Sequence, residues 1–428
     1  MAKPGDRVRI VTKEEEFEGI LMPRPEMLGS NITVIKLDNG YNIGIENDKI
    51  TNVRVVKAYI PQKAAKKKLE IDKKLPAVTI LSCGGTISSR VDYKTGGVHA
   101  DYTAEDFVAM CPELGKIANI KARKVISVMS EDMGADEWKT IAIAAAEELK
   151  KADGVVVTMG TDMLHFATAA LSFFLKDLNK PVVFTAAQRS IDRGSSDAFM
   201  NLICSVTSAA KSNIAEVMSC LHGTSNDDYC LLIRGTKVRK MHTSRRDAFR
   251  PINELPIAKV FPDGRIEILN KDYRKPGKNA TRVDAGFNEK VALIQVHPHM
   301  DPEIIDYFAK KDYKGIVIAA TALGHIPTLK EGYSLLPNLK RAIDKGIVVV
   351  IASQTIYGRT HPYVYTNLRK LSIGLGCLFA EDMLPETAFI KLGYVLSKAR
   401  NTDEARKMML ENMAGEITER ILPESFLY

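Results

Sequence analysis

The chain has 428 residues, enough for two or three domains, and its 45% apolar and 26% charged content is that of an ordinary globular protein. The longest apolar runs, around residues 315–322 and 346–352, are far too short to span a bilayer, and no apolar signal region opens the chain, so a cytoplasmic protein is expected. The six cysteines (83, 111, 204, 220, 230 and 377) form no CxxC pair and no metal-ligand cluster, which fits reduced core residues.

The first block, residues 1–60, reads as five short strands and predicts a small SH3-like β-barrel. Arg7–Val11 alternates polar and apolar side chains, Ile32–Leu37 does so more loosely, and Ile50–Val56 is a further strand. Asp38-Asn39-Gly40 is the signature of a hairpin turn. No triad, metal cluster or phosphate loop is present in this block, so it reads as a docking or scaffolding module. Residues 61–75 form a lysine-rich linker, with six lysines against Glu70 and Asp72. Such a run is a solvated linker or a contact for nucleic acid phosphates.

From residue 76 to 270 strands and helices alternate, which predicts an α/β domain with a mainly parallel sheet. Strands are expected at 77–82, 124–129, 154–158, 181–185, 214–220 and 229–233. Asp136 is expected to cap a helix over 137–150, and Asp197 another reaching residue 210. A hairpin over 259–269 turns at Asp263-Gly264, and residues 271–284 read as an interdomain linker. The α/β rhythm restarts in a second α/β domain, residues 285–428. It has strands at 291–296, 315–320 and 347–352, a helix opening at Asp301-Pro302 and running to Lys310, another between the last two strands, and a helical tail over 386–420.

Two glycine–threonine turns concentrate the chemistry. Cys83-Gly84-Gly85-Thr86-Ile87-Ser88 follows the first strand of the body, and Thr158-Met159-Gly160-Thr161-Asp162 follows another. Both stand at the carboxyl ends of strands, where parallel sheets place their ligands. Glycine there allows a sharp turn and a close approach.

Amide hydrolysis needs a nucleophile, a proton acceptor, oxyanion donors and a grip on the substrate. Thr86 and Thr161 supply hydroxyls. Lys240, in Arg239-Lys240-Met241-His242-Thr243, can act as a base if its surroundings lower its pKa. Tyr93 lies in a loop able to cover Thr86. Asp162 can hold a substrate ammonium, and Ser130 and Glu131 can grip the amino-acid part of a substrate. Taken singly, each has a plainer reading. Threonine after glycine caps helices, Asp162 suits an early helical turn, and Lys240 belongs to a solvated or phosphate-facing basic stretch. His242 reads as structural. His297, His299, His325 and His361 have no metal-ligand spacing, and neither GxGxxG nor Walker A occurs at the glycine turns.

Together these residues resemble the asparaginase/glutaminase family over roughly residue 76 to the carboxyl end. Gly84-Gly85-Thr86-Ile87 is similar to the family's first threonine signature, and Gly160-Thr161-Asp162 to its second. Lys240, with Thr243 three residues on, resembles the family lysine, and Ser130 its substrate-binding serine. The resemblance implies that Thr86, assisted by Tyr93, leads as nucleophile, that Thr161, Lys240 and Asp162 form a second catalytic group, and that Gly85, Ser130 and Glu131 contact substrate. It also implies a larger amino-terminal α/β domain before a smaller one, and a homodimeric core. Glu131 departs from the glutamine found in many members.

Residues 1–75 are absent from simple asparaginases. A barrel ahead of an asparaginase-like body resembles the archaeal GatD family of glutamyl-tRNA(Gln) amidotransferases. In that family, glutamine or asparagine yields ammonia, which the partner GatE uses to amidate Glu-tRNA(Gln) within a heterotetramer. The resemblance implies no metal or organic cofactor on this polypeptide, with ATP and Mg on the partner. The alternatives are a stand-alone L-asparaginase, and an RNA-binding scaffold whose hydrolase body is inactive.

Overall fold

A computed structural model describes residues 2–22, 31–38, 41–59, 71–85, 90–91, 98–99, 104–189 and 195–428. The chain divides into two compact units, Met1–Leu69 with Ser88–Asp101, and Glu70–Ile87 with Tyr102–Tyr428.

In the first unit, strands Arg7–Thr12, Glu16–Leu21, Ile32–Lys36, Asn42–Glu46 and Ile50–Lys57 form one antiparallel sheet. Three hairpin neighbours follow in sequence, and the fifth strand returns to lie beside the first, in the manner of a small barrel. Period-two alternation works as expected: Val8, Ile10, Ile35 and Ile45 point to one side and form the core. On the polar side, Arg7 and Arg9 both reach Glu18 across the strand pair, at 2.7 and 2.8 Å. Of the expected hairpin turn, Asn39 and Gly40 lie outside the described residues, as do residues 61–70 of the lysine-rich stretch.

The second unit opens on an eight-stranded sheet. Its parallel part runs in the spatial order Asn119–Lys124, Ala77–Ser82, Gly154–Thr158, Val182–Thr185, Val217–His222. Cys230–Arg234, Ala258–Val260 and Ile266–Ile268 then extend it antiparallel. Gly154–Thr158 is buried along its whole length, as a strand covered on both faces must be, so its sequence is an unbroken apolar run. Ala77–Ser82 lies between the two strands that follow it in sequence, so the winding direction reverses beside it. That reversal opens a crevice at the carboxyl ends of Ala77–Ser82 and Gly154–Thr158.

Four expectations need correction. The strand foreseen at 124–129 runs from Asn119 to Lys124, and residues 125–129 follow it without regular structure. The strand foreseen at 214–220 is Val217–His222. The helix foreseen from residue 137 is Ala135–Leu149, capped at Gly134, whose N–H donates to the Glu137 carboxylate at 2.8 Å; Asp136 lies inside the first turn. The tail is two helices, Pro385–Leu396 and Thr402–Leu410, followed by irregular chain, since Gly415 takes a φ of 76° that a helix cannot hold.

A four-stranded parallel sheet, Val291–Gln295, Gly315–Ala320, Val348–Ser353 and Leu378–Phe379, forms the carboxyl-terminal half. Helix Leu164–Phe174 packs against helix Pro385–Leu396 and joins the halves. Phe166 meets Phe389 edge-on at 6.2 Å, and Phe173 stacks on Tyr394 at 6.0 Å. Phe173 and Tyr394 are buried, whereas Phe166 and Phe389 are partly buried; burying a ring completely contributes about 1.5–3 kcal/mol. A fully buried ion pair, Lys237 with Asp382 at 2.6 Å, crosses the same junction. The six cysteines are all buried. Among the described residues no helix is long and apolar enough to cross a membrane.

Candidate functional site

The two glycine turns leave adjacent strands, and backbone geometry brings them into contact. Ala77–Ser82 and Gly154–Thr158 pair in parallel, and the Cys83 N–H continues the ladder to the Thr158 carbonyl at 2.9 Å. Gly84 and Gly85 then take φ values of 92° and 82°, in the region that favours glycine. A β-carbon on Gly85 would lie 2.3 Å from the Gly160 nitrogen. No side chain fits at Gly85 against that backbone, whereas at Gly160 an added β-carbon would instead meet Ser130, at 2.8 Å from its Oγ.

Thr161 and Asp162 follow Gly160 directly, ahead of helix Leu164–Phe174. Lys240 arrives from another direction, on strand Val238–Lys240, which pairs with Phe249–Pro251. Its ammonium donates to Thr161 Oγ1 at 2.8 Å and to Asp162 Oδ1 at 2.6 Å. The Lys240 side chain is only 10% exposed and that of Asp162 is 62% exposed, so the pair spans the border between protein and solvent. The Lys240 hydrogen bond holds the Asp162 carboxyl below its usual range. Lysine and aspartate therefore stand as an ion pair, with the Thr161 hydroxyl beside it.

Ser130 joins the group from the irregular segment beyond Asn119–Lys124. It is buried and opens a short 3₁₀ turn, and a β-carbon on Gly160 would come within 2.8 Å of its Oγ. Its hydroxyl donates to the exposed Glu131 carboxylate at 3.4 Å, a weak contact. Thr86 and Tyr93 lie outside the described residues.

A cavity of about 390 Å³ opens on Asp162, His165, Lys240, Met241, His242 and Thr243. His242 is structural, as its setting in a basic turn suggests, because its Nδ1 accepts the N–H groups of Ser244 and Arg245, each at 3.0 Å. Arg239 also lines the cavity and pairs with Glu386 at 2.9 Å.

Sequence reasoning missed His165. It stands four residues after Thr161, in the first turn of a helix, which is the only signal it gives. Burial, then the nearby Arg239 and Lys240 cations, lowers its pKa to about 4, so the ring is neutral at pH 7. Its Nδ1 is sealed from solvent and has no hydrogen-bond partner among the described residues. Among the described residues no group of three or more His, Cys, Asp or Glu side chains is arranged to hold a metal ion.

This geometry has known counterparts. Residues 77–274 match the family described as asparaginase, N-terminal, and 290–409 match the glutaminase/asparaginase C-terminal domain. Residues 2–56 match the GatD N-terminal domain. The chain is 51% identical to the D subunit of the glutamyl-tRNA(Gln) amidotransferase of Pyrococcus furiosus, covering 99% of this chain and 97% of the relative. It is 44% identical to the corresponding D subunit of Methanopyrus kandleri, covering 96% and 91%. The thermostable L-asparaginase of Thermococcus kodakarensis superposes with a TM-score of 0.72 at 29% identity, covering 80% of this chain and all of that one. L-asparaginase I of Vibrio cholerae gives 0.70 at 26% identity, covering 80% and 99%.

Proposed function

The chain belongs to the GatD family of glutamyl-tRNA(Gln) amidotransferases, and from that premise we propose that it is the amide-hydrolysing component of such an enzyme. It takes ammonia from the side chain of glutamine or asparagine and passes it to a partner that amidates Glu-tRNA(Gln). The observation that carries this reading is Lys240, whose ammonium touches both the Thr161 hydroxyl and the Asp162 carboxylate beside the Gly85–Gly160 contact.

The reaction is a two-step acyl transfer. Thr86 is assigned the first attack on the amide carbon, with Tyr93 assisting its deprotonation, on the motif each occupies. The carbon–nitrogen bond breaks, the nitrogen takes up a proton, and ammonia leaves an acyl ester on the threonine. Water then attacks the ester and releases glutamate or aspartate.

Thr161, Lys240 and Asp162 are assigned the proton traffic. For Lys240 to accept a proton from Thr161, its ammonium must first release one. Asp162 Oδ1, at 2.6 Å, is within reach to receive it. Ser130, buried against Gly160, and Glu131 are assigned to the substrate's amino-acid end, with the Gly85 turn forming the wall against which the amide lies. General acid–base participation of this kind is worth about 10²- to 10⁴-fold in rate.

The partner is proposed to be GatE, which supplies ATP, Mg and the tRNA surface, and the assembly a heterotetramer on a homodimeric core in the cytoplasm. No cofactor is assigned to this polypeptide. The test is ammonia release from glutamine and asparagine with and without GatE and Glu-tRNA(Gln). Low basal release that rises with partner and charged tRNA supports the reading. Rapid asparagine hydrolysis indifferent to both would make the chain a stand-alone asparaginase. No ammonia in any mixture would leave the scaffold reading.

A further inference from the structure

A second cavity, of about 780 Å³, opens between the chain leaving helix Leu164–Phe174 and the interdomain segment that follows Arg274. Its floor is rigid. Strand Leu175–Lys176 pairs with Arg282–Val283, and the Asp284 N–H donates to the Phe174 carbonyl at 2.8 Å. At one end of the segment the Arg274 N–H donates to Glu216 at 2.7 Å, and near the other Asn179 donates to the Asn279 carbonyl at 2.8 Å.

The lining carries Lys176, Arg274, Lys275, Lys278 and Arg282 against only Asp177 and Asp284. Both carboxylates are already engaged. Asp177 binds Arg282 at 2.8 Å, and Asp284 binds Lys398 and accepts the Tyr394 hydroxyl at 2.9 Å. Among the described residues, Lys176, Arg274, Lys275 and Lys278 have no side-chain ion pair. Lys176 forms the floor, its ammonium 4.6 Å above the Tyr394 ring. Burial lowers its pKa, and the Arg274 and Lys398 cations oppose its charge while Asp284 and Glu416 support it. Asp284 and Glu416 offset the burial of this ammonium only in part, so a bound anion would stabilise its charged form.

We propose that this cavity is a binding site for a compact polyanion bearing phosphate groups, seated on Lys176 and gripped by Arg274, Lys275 and Lys278. Phosphate chemistry follows from the charge count. A single carboxylate satisfies one cation, whereas four unpaired cations on floor and rim call for several negative oxygens on one ligand. The volume is within the range of small-molecule sites. The lining does not include Thr161, Asp162 or Lys240, so the site is separate from the hydrolytic centre and does not depend on the amidotransferase reading.

The test titrates the full-length chain with sodium tripolyphosphate by calorimetry at low and raised ionic strength, with Lys176→Met and Lys278→Ala alongside. Lys278 is exposed, so its substitution leaves folding intact even if Lys176→Met does not. The expected result is wild-type binding that weakens with salt and falls at least fivefold in each variant, while ammonia release from glutamine is unchanged. Uncharged tRNA added as competitor identifies the source of the phosphate: displacement of tripolyphosphate assigns the site to an RNA backbone, and retention assigns it to a free oligophosphate. Absence of wild-type binding, or equal binding by both variants, overturns the proposal.

Discussion

Gly85 and Gly160 meet so closely that a β-carbon on the first would lie 2.3 Å from the backbone nitrogen of the second. Each glycine directly precedes a threonine of the proposed centre, and the strands that carry them are hydrogen-bonded neighbours. Sheet pairing therefore sets the spacing of the two motifs before any side chain takes part.

This contact predicts that Gly85→Ala lowers ammonia release by about a hundredfold, the cost of a displacement near 1 Å at a reacting centre. Gly160→Ala, whose methyl would press on Ser130 Oγ at 2.8 Å, is expected to act similarly. Gly277→Ala is the control, because nothing lies within 4 Å of its added carbon. Steady-state kinetics on the three variants checks the prediction, and a fully active Gly85→Ala enzyme contradicts it.

The Lys240–Asp162 pair makes a prediction about pH. The Asp162 carboxyl is held below its usual value, so the ion pair is complete above the ordinary carboxylate range, near pH 4. It is lost only as pH falls through the lowered value. Provided the fold persists, the acid limb of the hydrolysis profile that belongs to Asp162 is expected below about pH 4. Asp162→Asn is expected to lower the plateau by about 10²-fold or more. A wild-type acid limb above pH 5 that Asp162→Asn abolishes would contradict this assignment.

His165 predicts a loss of stability in mild acid. Its pKa of about 4 lies below the ordinary histidine value near 6.5, so the unfolded chain takes up the proton first. The neutral ring's full contribution is present above pH 6.5 and declines as pH falls toward 4, by about 2 kcal/mol at pH 4.5. Urea unfolding at pH 7 and 4.5, with His165→Phe beside the wild type, measures it. The variant is expected to lose that much less between the two values; equal losses would contradict the prediction.

The Lys237–Asp382 pair is fully buried at 2.6 Å, and Asp382 also accepts the Thr418 N–H at 2.9 Å. Removing the lysine strands a carboxylate in the interior. Lys237→Ala is expected to destabilise the fold by about 3–5 kcal/mol, whereas Lys237→Met with Asp382→Leu costs less, because no lone charge remains. Denaturant unfolding of the two variants gives the comparison, and a single variant as stable as the double contradicts it.

Much of this arrangement is legible in the chain. Val155–Val157 announces a buried parallel strand by its unbroken β-branched run, and the alternation of Arg7–Val11 announces a strand of the amino-terminal sheet with one face in the core. Lys240 is chemically suggestive but 79 residues from Thr161, so only the fold brings its nitrogen to 2.8 Å. The segment before Ser130 reads as a strand from Val125-Ile126 and Val128-Met129, yet the ladder has ended at Lys124. Helix Leu164–Phe174 carries only a short polar stripe, His165, Thr168 and Ser172, and the rest of its surface is apolar because it is buried between the two halves. His165 belongs to that stripe, and nothing in the sequence singles it out from Thr168 and Ser172. The charge of the second cavity is also dispersed, since Lys176 and Lys278 come together only through the pairing of Leu175–Lys176 with Arg282–Val283.

The Thr161–Asp162–Lys240 group is proposed to generate ammonia for a partner and to do nothing else in the amidation. The most direct measurement is formation of Gln-tRNA(Gln) by the assembled complex carrying Lys240→Leu, with either glutamine or ammonium chloride as nitrogen donor. Glutamine-dependent product is expected to fall by about 10²-fold or more while ammonium-dependent product stays at the wild-type rate. Glutamine-dependent product at the wild-type rate would contradict it.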